Sequence, residues 1–422
     1  MQDPHVPTQK NNPLFRALNV LAPLAALCGT LSFIAVAVFG FGKSGSPMGD
    51  FNWYYAGGLC FLRGSSMYDV GCFGPLIAEF SDVRALAGVP YPPHFAPFAA
   101  ALATPSLFWS SLFFRVANIS VAFAMAFVIV DTERRISRPE GSDVPLQHLW
   151  AIALVFGSSG VWGAVWLGQI SFFIALLVWL AFRSIEAGNT LVAGVFLAII
   201  SVKPQMSVLL FVWILLHGRF KVLAVAAFFA GLLSLYAFAK MGVLPAIQGW
   251  AAGLAAYQSY PENVLGNGTI MGLPSFLALY GLTIPLPLAT AIGAFVLLFL
   301  RIYSKAPPFS PIALSTILLV QMTVFSRPID TVLIAPAFAV FWPSGRSHPR
   351  HLLLFLLTAA VICFPQQIAV ALLPFPEVAH FRTLPIAVLA IVFIRQMLIG
   401  KTRFELRTAD EAFISASVAG RR

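Results

Sequence analysis

Twelve apolar blocks follow one another along this chain, and most of them are separated only by short polar breaks. Charged residues make up 10% of the sequence, whereas a soluble domain carries about a quarter. Because so little charge could not cover this much apolar surface in water, the pattern predicts an all-α, polytopic transmembrane helical bundle of about 12 spans. The blocks lie at 17–41, 107–130, 148–166, 170–183, 190–202, 205–217, 221–241, 288–303, 311–325, 329–343, 351–373 and 384–399.

Several of these blocks are shorter than the roughly 20 residues that a helix needs to cross hydrocarbon. They end at Gly-Gln, Lys-Pro or Arg-Pro pairs. Irregular backbone at membrane depth must line protein or water, so these breaks predict short helices that end around a wet cavity. A further apolar stretch at 94–104 is broken by Pro97 and Pro105. We interpret it as a half-helix that enters the membrane from the outer side.

The distribution of Lys and Arg predicts the orientation of the chain. With the N-terminus inside and residues 94–104 not crossing, eighteen of the 26 basic residues lie on the cytoplasmic side and seven on the outer side, with Arg115 inside a span. This asymmetry follows the positive-inside rule and explains the net charge of +10 without a nucleic-acid partner. The predicted organisation is a cytoplasmic segment at 1–16, one membrane domain at 17–399 with a first outer loop at about 42–106, and a basic cytoplasmic tail at 400–422 in a multi-pass plasma-membrane protein.

The four cysteines carry limited information. Cys28 and Cys363 lie in apolar blocks and are interpreted as packing residues. Cys60 and Cys72 both lie in the first outer loop, where they either form a disulfide in an oxidising compartment or remain free. No spacing of Cys and His resembles a metal site, so no metal or other cofactor is predicted.

Asp50 is the most conspicuous polar residue because it directly follows the first span in a segment rich in aromatic side chains, including Tyr54 and Tyr55. A carboxylate in a partly apolar cleft has a raised pKa and can act as a general base. The aromatic side chains could bind a sugar ring or lie at the headgroup level. Alternatively, Asp50 only caps the helix that starts near Phe51.

Lys203 and Arg327 are the cations best placed to bind a phosphate, since each lies beside a proline at the outer end of a short helix. The alternatives are a snorkelling side chain for Lys203 and an ion pair with Asp330 for Arg327. Gln169 lies at the break between two blocks, where its amide could bind sugar hydroxyls or satisfy the helix ends.

Three further polar residues belong to the outer segments. Tyr91 begins a rigid Tyr-Pro-Pro sequence, and His94 follows it. A single histidine is more often structural than catalytic. Asn267 lies in a glycine-rich turn that could equally be an ordinary connection.

In their order and spacing, these segments resemble the polytopic glycosyltransferases of family 87, which have the GT-C type fold and include polyprenyl-phosphate-mannose-dependent mannosyltransferases. The resemblance runs from about residue 47 to about residue 345. Each motif is only two to four residues long. The matching residues are Asp50-Phe51, Tyr54-Tyr55, Gly64, Tyr68, Tyr91-Pro92-Pro93, Gly168-Gln169, Gly194, Lys203-Pro204, Asn267-Gly268-Thr269 and Gly272.

The resemblance implies transfer of a hexose, such as mannose, from a polyprenyl-phosphate sugar donor to a lipid-linked or cell-envelope glycan acceptor at the outer face. It also implies that Asp50 is the base. This chain departs from the family near Ser326, where the family often has Ser-Pro, an aromatic residue and then His or Asp. Here the sequence reads Ser-Arg-Pro-Ile-Asp, so Asp330 would take the second acid/base position.

The chemistry is compatible with this assignment, because a polyprenyl phosphate is already a good leaving group. The protein has only to deprotonate and orient the acceptor hydroxyl and to neutralise the departing phosphate. Attack opposite the leaving group predicts inversion. The alternatives are a secondary transporter of a small polar or anionic solute, although no internal repeat is found, and a non-enzymatic assembly subunit.

Overall fold

The computed structural model describes residues 13–39, 49–80, 85, 87–137, 144–334, 337, 356, 359–360, 362–373 and 375–399. Helices and short 3-10 turns make up most of these residues, and no β-strand occurs among them beyond one isolated bridge between Met271 and Ser326. This confirms the predicted all-α class. The predicted tail at 400–422 and most of the predicted segment at 1–16 lie outside the described residues.

The helices whose bounds are described are numbered here in chain order. They are α1 (Pro13–Phe39), α2 (Phe51–Leu62), α3 (Val70–Phe80), α4 (Ala96–Ala103), α5 (Leu107–Ser137), α6 (Val144–Gly157), α7 (Ser159–Leu167), α8 (Ser171–Glu186), α9 (Thr190–Ile200), α10 (Pro204–Leu216), α11 (Phe220–Met241), α12 (Val243–Gln258), α13 (Leu273–Ala278), α14 (Leu286–Tyr303), α15 (Pro311–Val324), α16 (Gln366–Leu372) and α17 (Thr383–Ile399). The 3-10 turns are Pro93–Phe95, Pro261–Asn263, Pro328–Leu333 and Pro376–His380.

In the part of the chain that the structure describes, fewer helices than predicted are long enough to cross a membrane. Among the described residues, five helices combine sufficient length with sufficient apolar character. A sixth span results if α7 and α8, which are bent by 119° at their break, are counted as one. The predicted 12 spans are therefore not confirmed. The five are Val20–Val38, Leu107–Thr132, Phe220–Met241, Leu286–Tyr303 and Glu377–Ile399.

The predicted blocks at 329–343 and 351–373 lie partly outside the described residues. For the described blocks, length explains the difference, because an apolar block need not be a complete span. The 11 residues of α9 and the 13 of α10 cover only about 17–20 Å at about 1.5 Å per residue, against about 30 Å of hydrocarbon. The predicted block at 148–166 is divided at Ser158 into α6 and α7. Apolar composition alone does not distinguish such half-helices from spans.

Two apolar clusters hold the helices together. The larger is centred on Phe172, Trp179 and Trp213, which are fully buried between α8, α10 and their neighbours. The smaller consists mainly of the first outer loop, where α2 packs on α4. Gly58 permits this contact, since a Cβ at that position would overlap the Ala99 carbonyl.

The first outer loop is therefore folded rather than extended. The half-helix predicted at 94–104 is present as α4. Cys60 on α2 and Cys72 on α3 form a disulfide, so the alternative with two free thiols is not the one observed. This loop holds Asp50, at the start of α2, against the ends of the short membrane helices.

Candidate active site

Three helix breaks and the start of α2 meet at one place in the fold. The first break lies between α7 and α8, where Gly168 adopts a left-handed conformation with φ +67° and allows the chain to turn before Gln169. The second is Lys203 before α10, and the third is Arg327 before the turn Pro328–Leu333. The backbone N–H of Asp50 donates to the Leu167 carbonyl at 2.9 Å, which joins α2 to the first break.

The Asp50 carboxylate faces Gln169 and does not cap its own helix. The Gln169 amide donates to Asp50 Oδ2, and the Asp50 side chain makes no capping hydrogen bond to α2. The other oxygen, Oδ1, receives no hydrogen bond from the described residues. Asp50 is only half-buried, so this oxygen can accept a proton from a bound hydroxyl.

Gln169 links Asp50 to the rest of the site. Its Oε1 accepts hydrogen bonds from the Tyr54 hydroxyl at 3.2 Å and from Lys203 Nζ at 3.3 Å. Two donors on one side and a carboxylate on the other fix the orientation of the amide. The Tyr91 hydroxyl lies 3.2 Å from that of Tyr54 and donates to it, because the Tyr54 proton is already engaged. The resulting chain runs from Tyr91 through Tyr54 and Gln169 to Asp50.

Lys203 points into the protein, where only 3% of its surface is exposed, so it does not snorkel. Its ammonium donates to Ser171 Oγ at 2.5 Å and lies 3.4 Å from Asp330 Oδ1. Ser171 in turn donates to the same oxygen at 2.9 Å. A buried ammonium requires such compensation, since removing one partner would leave an unpaired charge.

Asp330 has both carboxylate oxygens engaged within the protein. While Oδ1 serves Ser171 and Lys203, Oδ2 accepts the Arg327 backbone N–H at 3.0 Å. The Asp330 N–H returns a hydrogen bond to the Arg327 carbonyl at 2.8 Å. Asp330 therefore fixes the turn that carries Arg327 and neutralises Lys203, and its predicted contact with substrate remains a prediction.

The Arg327 side chain has only neutral partners. Its guanidinium donates to Asn263 Oδ1 and lies 5.5 Å from the centre of the Tyr257 ring. Among the described residues it forms no ion pair with a carboxylate, although Asp50 and Asp330 are close enough to act on it electrostatically. The alternative of an Arg327–Asp330 side-chain ion pair is therefore not observed.

The surroundings of Asp50 raise the pKa of its carboxyl, which favours a general base at this position. Burial raises the pKa of the Asp50 carboxyl above its usual value of 3.8, and the Gln169 hydrogen bond and the charges of Arg327 and Lys203 partly oppose the rise. Burial also raises the pKa of the Tyr54 hydroxyl, which stays neutral and acts as a hydrogen-bond donor. A carboxylate with a raised pKa is a stronger base once it is deprotonated.

Three predicted site residues lie outside this network. The Tyr55 hydroxyl donates to the Pro105 carbonyl at 2.9 Å, on another side of α2. His94 pairs with Ser201 at 3.0 Å, and burial lowers the pKa of the imidazole to about 4. Asn267 braces its own loop by donating to the Pro261 carbonyl at 3.1 Å. These bonds give all three a structural role, and their contact with substrate remains a prediction.

Three residues of the network were not predicted as site residues. They are Ser171, Asn263 and Tyr257. Ser171 could have been suspected, since it follows the Gly-Gln break by two residues. Asn263 flanks the same glycine-rich turn as Asn267, so the sequence marks the turn but not its contact with Arg327. Tyr257 carries no signal of its own, because only the folded chain brings it to Arg327.

The sequence profile of glycosyltransferase family 87 matches residues 90–327 of the chain, which is more than half of its 422 residues. The chain belongs to glycosyltransferase family 87. No curated protein and no solved structure gives a significant match. Membership confirms the predicted family and makes the protein a glycosyltransferase, so it sets aside the transporter and the assembly subunit.

The range that matches the family 87 profile contains only part of the site. It includes the residues of all three helix breaks, from Gln169 to Arg327, whereas Asp50, Tyr54 and Asp330 lie outside it. The connection of Asp50 to the matched region is therefore an observation from the fold. It rests on the Asp50–Gln169 hydrogen bond and on the backbone hydrogen bond from Asp50 to Leu167.

Proposed function

We propose that the protein transfers a hexose, with mannose as the first candidate, from a polyprenyl-phosphate donor to a lipid-linked or cell-envelope glycan acceptor. The transfer takes place at the extracytoplasmic face of the plasma membrane, with Asp50 as the general base. The observation that carries this proposal is the half-buried Asp50 carboxylate, with one oxygen held by Gln169 and the other unengaged among the described residues, close to the charge of Arg327.

The proposed reaction is a single displacement. The acceptor hydroxyl oxygen attacks the anomeric carbon while its proton passes to Asp50 Oδ1. The bond between the anomeric carbon and the phosphate oxygen breaks, and the phosphate leaves with the electron pair. Arg327 neutralises the developing charge, and such electrostatic stabilisation is commonly the largest contribution to catalysis. This scheme requires no metal, because the leaving group is already a phosphate.

The arrangement of carboxylates supports inversion. Both oxygens of Asp330 are occupied by Lys203, Ser171 and the Arg327 backbone, which leaves it poorly placed to attack the sugar. Asp50 then has one task, deprotonation of the acceptor. Comparing the anomeric configuration of donor and product by NMR tests this step, and retention would contradict it.

Two observations support the extracytoplasmic face. The disulfide between Cys60 and Cys72 joins α2 to α3, directly after Asp50, and disulfides persist in oxidising compartments. The positive-inside distribution assigns the same side. With Cys28 and Cys363 replaced by alanine, the exposed variant Ser259→Cys is expected to react with a membrane-impermeant maleimide in intact cells. Labelling only after lysis would contradict this orientation.

The activity is tested with the purified full chain in liposomes. Radiolabelled polyprenyl-phosphate mannose and polyprenyl-phosphate glucose serve as donors, and extracted envelope glycolipids serve as acceptors. We expect a labelled product with at least one donor, and a loss of about 10²-fold or more in Asp50→Asn, because a positioned general base contributes about that much.

The control is Asp69→Asn, which removes an exposed carboxylate from the same outer loop. It is expected to retain activity, and all three proteins should have the same melting temperature. The absence of product with both donors would overturn the donor assignment. Wild-type activity in Asp50→Asn would overturn the base.

A further inference from the structure

We propose that Tyr257 and Asn263 are positioning residues that hold Arg327 ready for the donor phosphate, within a strap formed by residues Tyr257–Met271. This inference rests on the proposed function. The strap comprises the end of α12, the 3-10 turn Pro261–Asn263 and the loop that follows. In the proposed site Asp50 is the base and Lys203 is the buried cation. The strap holds Arg327, the second cation, without neutralising its charge.

The strap is attached directly beside Arg327. Met271 and Ser326 exchange two backbone hydrogen bonds, from the Met271 N–H at 2.7 Å and from the Ser326 N–H at 3.1 Å. Because Ser326 immediately precedes Arg327, these bonds fix the backbone at the base of the arginine. They also set the distance between the loop and the guanidinium.

The other end of the strap contacts the arginine side chain. Asn263 Oδ1 accepts a hydrogen bond from Arg327, while the Asn263 amide donates to the Tyr257 carbonyl at 2.5 Å. The Tyr257 ring supports the guanidinium at 5.5 Å. A guanidinium has five N–H groups, so the Asn263 oxygen together with the ring and hydroxyl of Tyr257 orient it and leave donors for phosphate oxygens.

The strap also contacts the loop that carries the base. The Tyr260 ring lies 6.0 Å from that of Trp53 on α2, and the Tyr260 hydroxyl accepts a hydrogen bond from the Ala87 N–H at 3.2 Å. The same segment thus contacts the helix that follows Asp50 and the turn that carries Arg327. The position of the strap therefore influences the distance between Asp50 and Arg327, the cation that is proposed to bind the phosphate.

The neutrality of Asn263 is the decisive feature. Lys203 lies beside a carboxylate that offsets its charge, whereas Arg327 is held by an amide and a ring. An acid at position 263 would bind the guanidinium more strongly and would compete with phosphate for it. The proposal therefore predicts that the near-isosteric change Asn263→Asp is harmful to catalysis although it preserves the acceptor for Arg327, since it loses only the hydrogen bond to the Tyr257 carbonyl.

The test measures donor KM, kcat and melting temperature for wild type, Asn263→Asp and the control Ser259→Asp. The control adds the same charge at an exposed position of the same strap. We expect Asn263→Asp to raise donor KM at least about tenfold through competition for the guanidinium, with its melting temperature near that of wild type, because the gained ion pair offsets the lost hydrogen bond to the Tyr257 carbonyl. Ser259→Asp should change KM by less than about twofold, because exposed charges interact weakly.

A second pair of variants provides the same test without added charge. Tyr257→Phe keeps the aromatic face and loses only the hydroxyl hydrogen bond to Arg327, so its KM should rise little, whereas Tyr257→Leu removes both contacts and should raise KM severalfold. The acid limb of the pH–rate profile should not move in either variant. If Asn263→Asp fails to fold, this pair decides the question.

Binding of farnesyl phosphate to the purified protein distinguishes a failure of the proposed function from a failure of the strap proposal. If wild type neither binds this probe nor transfers sugar from a lipid phosphate, the proposed function fails. If wild type does both and Asn263→Asp matches it in probe affinity and donor KM, only the strap proposal fails. Equal KM values in Tyr257→Phe and Tyr257→Leu would also overturn it.

Discussion

The site has an inner and an outer pair of charges, and the two pairs are treated differently by the fold. The inner pair, Lys203 and Asp330, is 3% and 2% exposed, and each residue compensates the other. The outer pair, Asp50 and Arg327, is partly exposed, and each is held mainly by a neutral amide, Gln169 or Asn263. A compensated charge can fix geometry, but only a charge with a neutral partner remains available to substrate.

The same contrast extends to the hydrogen bonds around the pairs. Ser171 and the Arg327 backbone complete the inner pair, so that every carboxylate oxygen there is used. In the outer pair, Asp50 Oδ1 receives no hydrogen bond from the described residues. The inner pair therefore stabilises the helix breaks, and the outer pair is the one that we propose performs the chemistry of the transfer.

Breaking the inner pair is expected to have the largest effect, and that effect is on stability. Lys203→Met leaves Asp330 buried without a cation, which costs on the order of 3–5 kcal/mol. The double variant Lys203→Met/Asp330→Asn should recover much of this loss, because the unpaired charge is gone. Thermal unfolding in detergent measures both. A single variant as stable as wild type would show that the pair does not support the fold.

Breaking the outer pair at Arg327 is expected to reduce activity and leave stability nearly unchanged. Arg327→Gln removes a charge that no described carboxylate pairs with, so the melting temperature should change little. Loss of one electrostatic contact to the leaving group costs about 10²-fold in kcat/KM. Arg327→Lys keeps the charge but loses the planar guanidinium, so its kcat/KM should lie between those of wild type and Arg327→Gln. A large drop in stability with normal turnover would reverse the assignment of the two pairs.

The smallest expected effect comes from removing the hydroxyl of Tyr54, and the adjacent Tyr55 serves as its comparison. Tyr54 donates to Gln169 in the network, whereas Tyr55 donates to the Pro105 carbonyl. Loss of one neutral hydrogen bond is worth about 1 kcal/mol, so Tyr54→Phe should lower kcat about fivefold. Tyr55→Phe should cost a similar amount of stability and leave kcat unchanged. Equal kinetic effects of the two changes would contradict the geometry.

The sequence allowed much of the outer pair and of the helix breaks to be predicted. A charge at the end of an apolar helix is costly, so Asp50, Lys203 and Arg327 were conspicuous, and the Gly-Gln and Pro pairs marked the breaks. The pairing itself could not be predicted. Arg327 is nearer to Asp330 in sequence, yet in the fold the Asp330 carboxylate forms its ion pair with Lys203.

Other features depend on contacts that no local pattern records. Helix α12 was not predicted, because the segment Val243–Gln258 is too rich in Ala, Gly and Gln to form an apolar block. Asn263 and Tyr257 become important only when the strap meets Arg327. The predicted span count is not confirmed for a related reason, since a half-helix and a full span have the same apolar composition over a short block.

The central claim is that Asp50 is the base, and the pH dependence of kcat/KM tests it most directly. A base works only when deprotonated, and burial raises the pKa of Asp50 above 3.8. In wild type, kcat/KM should therefore fall as the pH is lowered through an ionisation above that value. Asp50→Glu should move this limb, and Asp50→Asn should abolish it together with most of the rate. An unchanged acid limb at a wild-type rate in Asp50→Asn would contradict the account.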